Sequence, residues 1–165
     1  MTFSPSLLAQ AEALHAACRT ARLKIAVAES CTGGMLAGLL TELAGSSDNF
    51  DRGFVTYSNE AKHDLLGVPR DMLADYGAVS EPVARAMAEG CLNVAGVDLT
   101  ASVTGVAGPG GGSAMKPVGL VHFGAARRGR GVIHEVHRFG DLGRGEIRLK
   151  AVETAMSLLM RLATA

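Results

Sequence analysis

Three short apolar runs, each followed by a loop rich in glycine or hydroxyl side chains, constrain the fold more than any other feature. They lie at residues 24–28, 53–58 and 98–103, and segments with helical periodicity separate them. Parallel strands need long crossover connections, usually helices, because a tight hairpin joins only antiparallel neighbours. This order of segments therefore predicts an α/β fold with helices packed on a sheet.

The second half of the chain adds two further β-patterned segments, at 117–126 and 131–139. The basic turn between them is short enough for a hairpin, so the sheet is predicted to be mixed, mostly parallel and of about five strands. A length of 165 residues suits one domain, 1–165, with a full hydrophobic core. The expected architecture is a three-layer α/β/α sandwich.

The net charge and the cysteine content argue against several classes of protein. The formal net charge is zero, so no bulk electrostatic attraction favours nucleic acid or a membrane surface. The three cysteines, Cys18, Cys31 and Cys91, include no CxxC pair, which argues against a disulfide framework or a zinc ribbon. No apolar run approaches the length of a transmembrane helix. The sequence predicts a soluble cytoplasmic protein with no nucleic-acid or membrane partner.

Residues able to carry chemistry follow each of the three predicted parallel strands. Ser30 follows the first, Tyr57 and Lys62 flank the end of the second, and the loop 104–113 follows the third. In open α/β sheets, ligands bind in the crevice beyond the carboxyl ends of the strands. We therefore expect these segments to converge on one edge of the sheet.

Ser30 is the candidate nucleophile. A serine hydroxyl attacks an amide carbonyl when a base takes its proton and donors stabilise the oxyanion. The backbone amides of Thr32, Gly33 and Gly34, at the start of the next predicted helix, are candidate donors. The alternative is that Ser30 or Thr32 merely caps that helix.

Cys31 is a rival nucleophile, because the N-terminus of a helix lowers the pKa of a thiol. No histidine stands where it would pair with this cysteine; His63 is the nearest to a motif. We interpret Cys31 as a buried structural residue.

Lys62 is the candidate base. It stands five residues after Tyr57, across a predicted strand-to-helix turn. A lysine held in a pocket can lose its proton near neutral pH, and a tyrosine hydroxyl can relay a proton or donate to the oxyanion. The alternatives are a solvated helix lysine and a strand tyrosine packed in the core with its hydroxyl at the rim.

The glycine-rich run 104–112 lacks the Gly-Lys-Ser/Thr ending of a Walker loop and does not give GxGxxG opening a helix. Its successive amides can nevertheless form a nest for one phosphate. The alternative is a flexible loop.

Four motifs carry a resemblance to a known family. They are Ala-Glu-Ser-Cys-Thr-Gly-Gly at 28–34, Gly-Phe-Val-Thr-Tyr-Ser-Asn-Glu-Ala-Lys at 53–62, Gly-Ala-Val-Ser at 77–80 and Thr-Gly-Val-Ala-Gly-Pro-Gly-Gly at 104–111. Together they resemble, in order and over nearly the whole chain, the CinA C-terminal domain family, whose members include nicotinamide-nucleotide amidases.

The resemblance implies hydrolysis of nicotinamide mononucleotide to nicotinate mononucleotide and ammonia, in pyridine nucleotide salvage. It implies a site without metal or cofactor, built on Ser30, Tyr57 and Lys62, in a chain that forms a homodimer. The alternative function is a non-catalytic module that binds a pyridine nucleotide or regulates competence or the damage response. The expected substrate-binding residues are Cys31, Thr32, Gly33, Gly34, Asn59, Thr104, Gly105, Gly108, Gly110 and Gly111.

Overall fold

The computed structural model describes residues 3–165. The helices are α1 Pro5–Ala21, α2 Met35–Thr41, α3 Asn59–Leu66, α4 Arg70–Tyr76, α5 Glu81–Ala95 and α6 Arg144–Ala163. The strands are β1 Ile25–Glu29, β2 Phe50–Val55, β3 Leu99–Gly105, β4 Leu120–Arg127 and β5 Gly131–Arg138. A single 3₁₀ turn covers 46–48 in the described chain.

The five strands form one mixed sheet in the order β2-β1-β3-β4-β5. Strands β2, β1 and β3 pair in parallel, whereas β4 pairs antiparallel with both β3 and β5. Four of the five strands therefore run in the same direction, and the prediction of a mixed, mostly parallel sheet is confirmed. The β4–β5 hairpin provides the single reversed strand.

The helices cover both faces of the sheet, which confirms the three-layer α/β/α arrangement. Helices α1, α2 and α6 contact one another on one face, and α3 and α4 pack with α5 on the other. Strand β1 is buried along its whole length, as expected for a central strand that is covered on both faces. Its alternate residues enter two separate hydrophobic clusters, one on each side.

Two element boundaries differ from the sequence-based expectation in ways that affect the site. Strand β2 spans Phe50–Val55 rather than 53–58, so Tyr57 follows the strand instead of lying in it. The sequence also favours Asn59 as the N-cap of α3, but the structure has Ser58 there: its backbone is extended and its hydroxyl accepts the N–H of Ala61 at 3.0 Å. A serine oxygen placed before the first turn satisfies a helix amide that has no partner within the helix.

Candidate functional site

The carboxyl ends of β1, β2 and β3 meet at one edge of the sheet. Beyond the ends of the strands, the Ser30 amide donates to Val103 O at 2.9 Å and the Thr56 amide donates to Glu29 O at 2.8 Å. These bonds extend the parallel ladders by one residue. They bring the loops after the three strands side by side, as the sequence predicts.

Lys62 and Ser30 are in direct contact at this edge. The Lys62 side chain is 1% exposed, and its Nζ donates to Ser30 Oγ at 3.1 Å and to Thr56 O at 2.8 Å. Helix α3 turns Lys62 inward together with Leu66, four residues later on the same face. Burial lowers the pKa of Lys62 from 10.5 to about 8, because a charged amine is poorly solvated there.

Glu29 caps helix α2 in place of a serine or threonine. Its buried carboxylate accepts the amides of Gly34, Leu36 and Ala37 at 3.1, 3.0 and 2.8 Å. The N-cap residue itself is Gly34, which has no side chain to offer. Since Glu29 accepts the unpaired amides at the start of α2, the Ser30 hydroxyl does not cap the helix and contacts Lys62 instead.

Cys31 lies beside Ser30 but has the surroundings of a buried structural thiol. It is 5% exposed, and burial raises its thiol pKa to about 11. A thiol with such a pKa is almost entirely protonated at neutral pH, and the thiolate is the nucleophilic form. His63 turns elsewhere, with its Nδ1 2.9 Å from Val68 O.

Tyr57 stands at the rim of the site rather than in its core. Its side chain is 60% exposed, and its hydroxyl accepts a hydrogen bond from Arg144 Nη2 at 3.1 Å. The other end of the same guanidinium donates from Nη1 to Gly108 O at 2.9 Å. Arg144, at the start of α6, thus ties the loop after β2 to the glycine-rich loop after β3.

These groups line an open cleft of about 230 Å³. The lining residues are Ser30, Cys31, Tyr57, Lys62, Ala78, Val79, Thr104, Gly105, Ala107 and Arg144. Six of the predicted site residues are among them. The predicted residues outside the lining are Thr32, Gly33, Gly34, Asn59, Gly108, Gly110 and Gly111. Asn59 lines a separate surface depression with Glu60 and Arg70.

Residues 30–34, here called the nucleophile loop after the candidate nucleophile Ser30, have backbone amides that differ in their hydrogen bonding. The Gly33 amide donates to Ser30 O at 3.1 Å and the Gly34 amide to Glu29, so neither is free to receive an oxyanion. Thr32 is fully buried. Among the described residues, the amides of Cys31 and Thr32 donate to no acceptor in another residue, and of the two only Cys31 lines the cleft.

Glu29, Arg144 and Arg148 contribute to the site although they are not among the residues predicted from the sequence. The two arginines lie four residues apart on one face of α6, and Arg148 donates to the carbonyls of Cys31 and Thr32. The sequence holds a signal for Arg144 alone. Arginine in the first turn of a helix is unfavourable next to the positive end of the helix dipole, so Arg144 there indicates a role outside the helix.

The fold and the cleft define a class: an α/β sandwich with a serine–lysine pair at the carboxyl edge of its sheet. The model of the CinA C-terminal domain matches residues 8–163. The chain belongs to the CinA C-terminal domain family.

Two relatives show how the chain relates in length to other members. It is 52% identical over 138 residues to "Nicotinamide-nucleotide amidohydrolase PncC" of Enterobacter agglomerans, covering 83% of each protein. It is also 52% identical over 141 residues to a "CinA-like protein" of Syntrophobacter fumaroxidans, covering 86% of this chain and 33% of that one. The chain thus spans most of the first relative and one third of the second.

Solved structures share the fold over almost the whole chain. The competence/damage inducible protein CihA from Agrobacterium tumefaciens superposes with a TM-score of 0.96 at 48% identity, covering 98% of both chains. A CinA superfamily protein from Escherichia coli gives a TM-score of 0.90 at 32% identity, over 98% of this chain and 94% of that one. Within residues 3–165, no helix has both the length and the hydropathy to cross a bilayer.

Proposed function

We propose that this chain hydrolyses the carboxamide of nicotinamide mononucleotide, releasing nicotinate mononucleotide and ammonia in pyridine nucleotide salvage. The observation that carries the proposal is the contact between Ser30 Oγ and the buried Nζ of Lys62. The printed name of the Enterobacter agglomerans relative, which covers most of both chains, supports the choice of substrate. Such a serine–amine pair is suited to acyl transfer.

Lys62 acts as the general base. With a pKa of about 8, roughly one lysine in ten is neutral at pH 7, whereas an ordinary lysine is neutral in fewer than about one molecule in a thousand. The neutral amine accepts the Ser30 proton while it still donates to Thr56 O, which holds it in place. Burial therefore supplies a base that works close to neutral pH.

Acyl transfer then proceeds in two steps with Ser30. The oxygen attacks the carboxamide carbon, and the resulting oxyanion accepts from the Cys31 amide, the N–H directly after the nucleophile. The C–N bond breaks, and the protonated Lys62 returns its proton to the departing nitrogen as ammonia leaves. Lys62 next deprotonates a water, which attacks the carbonyl carbon of the acyl-enzyme ester. The ester C–O bond breaks, Lys62 returns the proton to Ser30 Oγ, and the acid product ionises to the carboxylate.

Arg144 and the glycine-rich loop form the phosphate-binding side of the cleft. Arg144 lines the same cleft as the Ser30–Lys62 pair, and its guanidinium lies between the Tyr57 hydroxyl and Gly108 O. A planar guanidinium suits phosphate recognition. The Tyr57 hydroxyl, which accepts from Arg144, keeps its own proton available for the substrate.

The proposal includes assembly and location. We place the enzyme in the cytoplasm as a homodimer that uses no metal or cofactor. Cys18, Cys31 and Cys91 are all free and buried, which is compatible with a reducing compartment. Light scattering of the purified chain measures the assembly, and a monomeric mass at working concentrations would contradict a homodimer.

Ammonia release from nicotinamide mononucleotide tests the function directly. The purified chain is expected to release one ammonia per nicotinate mononucleotide formed, and Ser30→Ala is expected to bind substrate without releasing ammonia. Ser157→Ala, at an exposed serine of α6, is the matched control and should retain turnover. Substrate binding without ammonia release by the wild type would indicate the non-catalytic module instead.

A further inference from the structure

We infer that Arg148 is a positioning residue that sets the orientation of the oxyanion-binding amide next to Ser30. This inference rests on the proposed function, and it adds a residue that lies outside the cleft lining. Arg148 belongs to α6, one helical turn after Arg144. It reaches from the helix layer to the backbone of the nucleophile loop.

Two hydrogen bonds join Arg148 to consecutive peptide groups. Its Nε donates to Cys31 O at 3.1 Å, and its Nη2 donates to Thr32 O at 2.8 Å. A guanidinium presents its donors in a rigid planar fork, so two acceptors held by it have a defined separation and direction. Arg148 thus holds the loop by hydrogen bonds to two adjacent carbonyls.

Because peptide groups are planar, fixing these carbonyls also fixes the orientation of the Cys31 amide, which directly follows Ser30. In a trans peptide the carbonyl and the following N–H point in opposite directions. With Thr32 O held by Arg148, the N–H of Gly33 points the other way and donates to Ser30 O at 3.1 Å. Ser30 O is thereby fixed, and so is the opposite end of the same peptide plane, the N–H of Cys31.

Gly33 has the backbone conformation and the small size that the contact between Arg148 and the loop requires. Its φ of +57° is in the left-handed region that glycine adopts without steric penalty. A Cβ at this position would come within 3.3 Å of Arg148 Nη2. The guanidinium therefore occupies a space that only glycine leaves fully open.

Arg148 does not serve as a surface salt bridge. Other arginines pair with carboxylates, as Arg161 does with Glu135 at 2.8 Å and Arg85 with Glu81 at 2.8 Å. Within residues 3–165, no carboxylate forms a salt bridge with Arg148. Its hydrogen bonds go to the two loop carbonyls.

Steady-state kinetics of three variants test the role. Arg148→Ala should lower kcat by about 100-fold with little change in KM, since misorienting a catalytic group has an effect of this order. Arg148→Lys, which keeps the charge but not the fork, should fall between alanine and wild type. Arg161→Ala, on the same helix and far from the loop, is the matched control and should keep the wild-type kcat.

Chemical rescue and hydrogen exchange complete the test. Guanidinium at sub-denaturing concentration should restore part of the kcat of Arg148→Ala, and the amides of 30–34 should exchange faster in that variant than in Arg161→Ala. A kcat equal to that of the control overturns the inference, as does unchanged exchange in this loop. If the wild type releases no ammonia, the proposed function fails, and the exchange data alone still decide whether Arg148 holds the loop.

Discussion

Replacing Lys62 by methionine should change stability in a way that depends on pH, because the native state holds this lysine at a lowered pKa. Methionine is also long and unbranched, and it fills the same buried space without a charge. The substitution removes the titrating group and also removes the donor to Thr56 O and to Ser30 Oγ. Each lost hydrogen bond has a cost of about 1–3 kcal/mol.

The magnitude follows from the two pKa values of Lys62, 10.5 in the unfolded chain and about 8 in the fold. Between them the unfolded chain carries a proton that the native state has lost, so the stability of the wild type rises with pH. Below the folded pKa, the full penalty is roughly 3 kcal/mol, at about 1.4 kcal/mol per pH unit. From about pH 7 to about pH 9.5, the wild type should gain about 2 kcal/mol relative to Lys62→Met.

Urea denaturation of both proteins at these two pH values measures the effect. The difference in unfolding free energy between wild type and Lys62→Met isolates Lys62, since all other groups titrate in both proteins. Lys150→Met, at a partly exposed lysine of α6, controls for the removal of one lysine. A wild-type minus Lys62→Met difference that is the same at both pH values would refute the lowered pKa, and with it the assignment of Lys62 as the base.

Further predictions concern the pH profile and the nucleophile loop. The kcat/KM of the wild type should rise with pH and level off above an apparent pKa near 8, because the neutral Lys62 is the active form; a profile that falls over this range contradicts it. Glu29→Gln should lower the unfolding free energy by about 1–3 kcal/mol, as it weakens three bonds to a buried carboxylate; an unchanged denaturation midpoint argues against the capping role. Gly33→Ala should destabilise by about 1 kcal/mol and lower kcat more than Arg161→Ala does, which calorimetry and the ammonia assay measure.

Much of the fold can be predicted from the sequence, because the local pattern of each of these segments favours the same element that the packing of the whole chain requires. The apolar run of β1 is bounded by helical segments on both sides, and the hairpin spacing of β4 and β5 identifies the reversed strand. The predicted bounds of β2, 53–58, lie three residues beyond the bounds of the observed strand, Phe50–Val55. Its first half, Phe50 to Arg52, lies on an edge strand and includes two charged, solvent-exposed residues, Asp51 and Arg52, and such residues give a weak strand signal.

The candidate site likewise contains some residues that the sequence predicts and others that only the folded chain brings into place. Ser30, Tyr57 and Lys62 could be named because each lies in a motif next to the end of a predicted strand. The role of Glu29 could not be read locally, since a carboxylate at the end of a strand caps a helix only when the chain folds back over it. Helix α6 lies more than 100 residues beyond Ser30 in the sequence, so the contacts of Arg144 and Arg148 leave no trace in the nucleophile motif.

The sequence by itself determined which elements form and which motifs follow the parallel strands, since periodicity, turn residues and strand length are local properties. The tertiary structure alone decided that Lys62 is buried against Ser30, that Glu29 rather than Ser30 caps α2, and that Cys31 rather than Thr32 lines the cleft. Burial, pKa and hydrogen-bond partners depend on groups brought together from distant segments. The serine is a helix cap or a nucleophile according to what surrounds it, and only the folded chain supplies those surroundings.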